Sequence, residues 1–253
     1  MDQLVISPAL LAGIFFAVAL AYSAVGLGGG SSYTALMAIF GVSYVAIPTI
    51  ALTLNVLVTS IGSYNFIRRR HARIRLIAPF LISSIPASYI GGTLHLPETT
   101  FQWLLVITLI FIAARIYVWE SVSFRLELGR AQQIGLALLA GAILGLVAGA
   151  LGIGGGIYLV PLVIVLGLGT PREAAACGAI FIWVNSVSGL AARLRFHEVN
   201  VPELLPLIGA VIAGAVIGSH LGAVRLKPRI MEKWLGAIVL VAIALLARTL
   251  LLA

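Results

Sequence analysis

The chain is 253 residues long, 61% hydrophobic and only 9% charged, with a formal net charge of +8. Soluble domains carry about 25% charged residues, so this composition excludes an ordinary soluble globular protein and points to a polytopic membrane protein. The basic residues sit in short clusters between apolar runs, the pattern of membrane loops rather than of a nucleic-acid-binding face.

A membrane-crossing helix needs about 20 mostly apolar residues. In chain order the sequence offers such runs at 8–25, 47–67, 76–94, 99–119, 131–150, 174–192, 201–221 and 230–252. Met1-Asp2-Gln3 lacks the basic start of a secretory signal, so the first run is expected to be a retained helix. Two shorter apolar segments, 31–40 and 157–168, have the length of half-helices or re-entrant pieces. The longest polar connection, 120–130, leaves no expected extramembrane domain.

Each short segment follows a glycine run. Gly26-Leu27-Gly28-Gly29-Gly30 returns as Gly152-Ile153-Gly154-Gly155-Gly156. A glycine costs a helix roughly 1 kcal/mol relative to Ala, and a break inside a bilayer leaves backbone groups without water. Broken helices at matching places in two halves are the best sequence pointer to a transporter's binding site. Other landmarks recur in the same order. Asn55 precedes Phe66 by eleven residues, as Asn185 precedes Phe196. Pro79 and Pro206 mark the starts of the next helices, and Pro97 precedes Trp103 by six residues, as Pro228 precedes Trp234. Duplication explains this order, with halves at 1–125 and 126–253. Arg68, Arg69, Arg70, Arg73 and Arg75 mark a cytoplasmic loop whose counterpart near Arg193 is weaker; Arg225, Lys227, Arg229 and Lys233 fill a loop whose counterpart around Pro97 has no Lys or Arg. Opposite charge bias in equivalent loops is what an inverted second half predicts. The fold class expected is therefore all-α, with about 8–10 transmembrane helices in two pseudo-symmetric, inverted repeats, broken at the glycine runs.

The candidate substrate site is Gly26, Gly28, Gly29 and Gly30 with Gly152, Gly154, Gly155 and Gly156. Bare N–H groups in an unwound segment, backed by the positive end of the following helix, suit an anion. Packing is the competing explanation for glycine, and it is the expected role of Gly141, Gly145 and Gly149 at four-residue spacing. Asn55, Thr59, Asn185 and Ser186 are polar positions inside apolar runs, able to donate to an oxyanion or to hold broken backbone. Ser31 and Ser32 fall in the first turn after the first glycine run, where a hydroxyl could cap the helix or touch a ligand. Glu173 after Thr170-Pro171 suits a helix start, and His220 is a minor candidate for proton coupling. No Cys/His cluster with metal-ligand spacing occurs beside Cys177, and no dinucleotide or P-loop motif fits either glycine run. No catalytic residue, metal or cofactor is expected.

With two such motifs, a duplication and this size, the chain resembles the sulfite exporter TauE/SafE family of membrane transporters over nearly its whole length. The family's repeated G-x-G-G-G motif is followed closely by proline, here Pro161 after Gly156; in the first copy Ala35 stands at that place. The resemblance implies a multi-pass protein of the plasma membrane that exports small sulfur-containing anions such as sulfite or organosulfonates. The expected partners are that anion, the lipid bilayer and a coupling ion, proton or sodium, with a homo-oligomer as a candidate assembly and no nucleic acid. A passive anion channel, recognised by flux that follows voltage and concentration alone, is the alternative within transport. A membrane scaffold would retain a partner protein and carry no flux. An intramembrane enzyme is disfavoured because neither H-E-x-x-H nor G-x-S-x-G is present.

Overall fold

A computed structural model describes residues 7–24, 27–68, 70–117, 129–196, 205–222 and 228–252. They form ten α-helices: α1 Pro8–Ala24, α2 Gly30–Ile39, α3 Ile47–Arg68, α4 Ile74–Thr93, α5 Glu98–Tyr117, α6 Arg130–Leu151, α7 Gly156–Val165, α8 Pro171–Phe196, α9 Leu205–Gly222 and α10 Pro228–Leu252. Gly26, Arg225 and Lys227 lie outside the described residues. Helices that are apolar on every side belong in lipid, and here the outward faces carry Ile82, Ile107, Phe111, Leu139 and Val241. Among the described residues four helices (Ile47–Arg68, Ile74–Thr93, Arg130–Leu151 and Arg172–Arg195) are long and apolar enough to cross a membrane by length and composition. Pro79, expected at a helix start, lies instead in the second turn of α4, with Pro86 further in. Membrane helices tolerate such interior prolines because neighbours re-satisfy the freed carbonyls.

The glycine runs are breaks, as their composition demands. α6 ends at Gly152 with φ 78°, and α7 starts after Gly155 with φ 70°. Gly154 has φ 83°, and Gly29, just before α2, has φ 84°. A side chain in this left-handed region costs roughly 1–2 kcal/mol, so glycine is the residue that can make these corners. The helices after the breaks, α2 and α7, have ten residues each. At 1.5 Å per residue they span about 15 Å, half of a hydrocarbon core of about 30 Å.

Small residues set the closest helix contacts. A Cβ on Gly141, Gly145 or Gly149 of α6 would collide with the carbonyl of Phe80, Ser84 or Ser88 on α4. The rising numbers on both sides show that α4 and α6 run parallel. Gly214 and Gly218 of α9 meet the carbonyls of Phe16 and Leu20 on α1 in the same way, so these helices are parallel too. α3 and α8 run the other way: Gly62 faces Ala179, the Trp183 indole donates to Ser60 Oγ at 2.9 Å, and Leu52 faces Gly189. The start of α8 is a capping box, in which Thr170 N–H donates to Glu173 Oε2 at 2.8 Å and Glu173 N–H to Thr170 Oγ1 at 3.4 Å.

Candidate functional site

The two glycine runs meet at the middle of α3, around the side chain of Asn55, which is fully buried. Its Nδ2 donates to the Gly152 carbonyl at 3.1 Å, bridging a separation of 97 residues in the chain. A Cβ on Gly28 would lie 2.7 Å from Asn55 Oδ1 and 2.9 Å from Thr59 Cγ2. One on Gly154 would lie 3.0 Å from Asn55 Nδ2, and one on Gly30 would collide with Nδ2 and lie 2.8 Å from the Ile153 carbonyl. Glycine is therefore needed at these positions for close approach as well as for backbone angle. From the opposite side α8 supplies Ile182, whose side chain would contact a Cβ on Gly28, Gly154 or Gly156. Phe181 closes over Gly155 at 3.0 Å from the position of its Cβ.

The backbone at the first break has donors to spare. The first α2 bond runs from Tyr33 N–H to Gly29 O at 3.0 Å. By helix geometry the amides of Gly30, Ser31 and Ser32 precede that bond and need partners from outside the helix. In the second run Gly156 N–H turns back on Gly154 O at 2.9 Å, and Tyr158 N–H bonds Gly155 O at 3.2 Å. Both corners thus place a helix start, with its partial positive charge, against the same asparagine.

The other expected residues divide. Ser31 and Ser32 hydroxyls are buried and meet the Tyr22 hydroxyl at 3.1 and 2.9 Å. Gly29, not a serine, occupies the N-cap of α2, with no side-chain cap bond. Thr59 Oγ1 donates to the Asn55 carbonyl at 2.6 Å, so its hydroxyl is spent on its own helix. Asn185 behaves differently from Asn55. Its Nδ2 donates to the Phe181 carbonyl one turn earlier, at 2.8 Å, and its carbonyl accepts from Ser88 Oγ at 2.7 Å. Asn185 supports the α4–α8 contact, while Asn55 holds the glycine run of α6. Asn55 Oδ1, Asn185 Oδ1 and Ser186 Oγ are buried without a hydrogen-bond partner, as is the Tyr33 hydroxyl. Buried polar atoms in this state cost about 1–3 kcal/mol each; Ser63 Oγ and Ser84 Oγ share it.

One residue escaped the sequence. Arg193, which reads as a loop cation, is only 3% exposed. Its Nη2 donates to the Ala150 carbonyl at 2.9 Å and its Nε to the Gly149 carbonyl at 3.4 Å, at the end of α6 just before the break. Among the described residues no group of three or more His, Cys, Asp or Glu side chains could hold a metal ion.

Comparison with known proteins adds an independent finding. A family model described as "Sulfite exporter TauE/SafE" matches residues 10–247. A protein of Sinorhizobium fredii (strain NBRC 101917 / NGR234) described as "Probable membrane transporter protein y4hK" is 36% identical over 217 residues, covering 84% of this chain and 87% of its own length. No solved structure matches.

Proposed function

The chain belongs to the sulfite exporter TauE/SafE family of membrane transporters, and from that premise we propose that it is a secondary transporter of small sulfur-containing anions in the plasma membrane. The observation that carries the reading is the meeting of both glycine runs on Asn55, with two helix starts against it and its Oδ1 buried without a hydrogen-bond partner. Preorganised backbone donors in a place that excludes water bind an oxyanion without a fixed counter-charge. The halves 1–125 and 126–253 form an inverted pair in this reading. Its support is that α3 and α8, the third helix of each half, are antiparallel, while α1–α9 and α6–α4 make matching parallel seams. Rocking of one half against the other would then expose the Asn55 site to each side in turn. Net export is the direction that the family description supports, with proton or sodium as the coupling ion.

The test is flux of radiolabelled sulfite, sulfoacetate and a carboxylate control in liposomes holding the purified protein. Sulfur anions should move and the carboxylate should not. Gly155→Leu, which forces a side chain into a left-handed corner against Phe181, should abolish flux while the protein still inserts. Gly135→Ala, where a Cβ meets nothing within 4 Å, should transport as the parent does. Normal flux in Gly155→Leu would remove the site, and carboxylate flux equal to sulfite flux would remove the substrate class.

A further inference from the structure

Beside the glycine runs lies a cavity of about 290 Å³. Its walls come from the α2–α3 loop at Tyr44, the first turn of α3 at Pro48, the α4–α5 loop at Leu94 and His95, Ala150 of α6 and Arg193 of α8. The Pro48 that lines it also touches Gly152, whose Cβ position lies 2.8 Å from Pro48 Cα. The cavity is thus separated from the break of α6 by Pro48, next to the Asn55 site but distinct from it.

Arg193 is the cation of this cavity, and among the described residues no carboxylate pairs with it. The ion pair found among the described residues, Arg73 with Glu173 at 3.3 Å, is elsewhere. Glu98, just past the lining residue Pro97, is exposed and accepts from Gln102 Nε2 at 3.1 Å. A guanidinium has five N–H donors; one on Nε and one on Nη2 are directed at Gly149 and Ala150, which leaves the pair on Nη1 and the second on Nη2. The two carbonyls end α6, where the partial negative charge suits a cation, and an anion in the cavity would neutralise the full buried charge further. Capping the end of α6 explains the two carbonyl bonds but not why a full charge is used next to a cavity.

We infer that the cavity is an anion-binding vestibule, in which Arg193 and the adjoining walls hold a small oxyanion, with sulfate as its simplest representative, on its way between the glycine runs and the bulk. At about 30 Å³ per water, the cavity has room for such an ion with part of its hydration shell. The vestibule opens at the Pro48 end of α3, opposite Arg68. Arg193 fixes the sign of the charge admitted, and His95 is a wall residue without that role.

Labelling tests this without measuring flux, so it fails separately from the transporter reading. In a Cys177→Ala background, Leu94→Cys supplies one thiol at the cavity rim. Its reaction with an anionic and a cationic methanethiosulfonate of similar size is compared with that of a free thiol. The anionic reagent should be favoured several-fold, sulfate should slow its reaction, and His95→Gln should keep the preference. Arg193→Gln should abolish it. No anionic preference in the Leu94→Cys protein overturns the inference, as does preference that survives Arg193→Gln. If Arg193→Gln does not fold, sulfate protection in the Leu94→Cys protein decides: its absence overturns the vestibule.

Discussion

Asn55 is one of several polar residues of the membrane interior whose bonds join the two halves of the chain, and its bond ends on a glycine run itself, at Gly152. Asn55→Ala frees the Gly152 carbonyl inside a dry core, at a cost of roughly 1 kcal/mol in the range measured for hydrogen bonds between membrane helices. The variant should unfold at lower temperature than the parent in detergent. Thr59→Val, one turn away, loses only a bond to its own helix and should stay within about 0.5 kcal/mol. Equal stability for Asn55→Ala and the parent would show that the inter-half bond is not a fastener. At this scale the sequence was legible where a residue type had one use. Positive φ at Gly29, Gly152, Gly154 and Gly155 follows from glycines clustered in an apolar run. Asn185 and Arg193 were not legible in the same way. Both asparagines occupy the same place in the repeat, and only the fold shows that one reaches across the molecule and the other back along its helix. Arg193 stands beside Arg195 like any loop cation, and the carbonyls that bury it come from a helix more than 40 residues earlier in the chain.

Among the helices, glycine has two uses that spacing separates. Consecutive glycines break a helix; glycines one turn apart, as at Gly141, Gly145 and Gly149, make a seam. Lipid tails are as apolar as the side chains, so the α4–α6 pair depends on backbone approach rather than on hydrophobic burial. Gly149→Val would drive a branched side chain into the Ser88 carbonyl and the Gly92 amide of α4. We expect loss of monodisperse protein on size-exclusion chromatography, whereas Gly135→Ala on the same helix should raise stability by about 0.5–1 kcal/mol. A monodisperse, stable Gly149→Val protein would mean that α4 and α6 can part without loss of the fold. The short helices were legible from length alone, since about ten apolar residues cannot cross a bilayer. Their exact starts were not, because the first helical residue depends on which glycine turns left-handed.

For the whole molecule, the decisive relation is the antiparallel pairing of α3 and α8, because it ties charge, cavity and direction together. α3 has 22 residues, about 33 Å at 1.5 Å per residue, with Pro48 in its first turn and Arg68 in its last. By the positive-inside rule the arginines at 68–75 predict a cytoplasmic end there, which would put Leu94, at the far end of α4 from Arg73, outside with the cavity. The antiparallel α8 carries Arg193 to the same outer end. Its charge does not oppose the positive-inside rule, because it is buried against α6 instead of counting as a loop cation. Arg193 is therefore a poor marker of the side on which its loop lies. In intact cells a membrane-impermeant maleimide should label Leu94→Cys, and should label Ala72→Cys only after permeabilisation, both in the Cys177→Ala background. Labelling of both without permeabilisation would mean that α4 does not cross. The reverse pattern would turn the Arg193 cavity toward the cytoplasm, making it the loading side for an exporter instead of the release side.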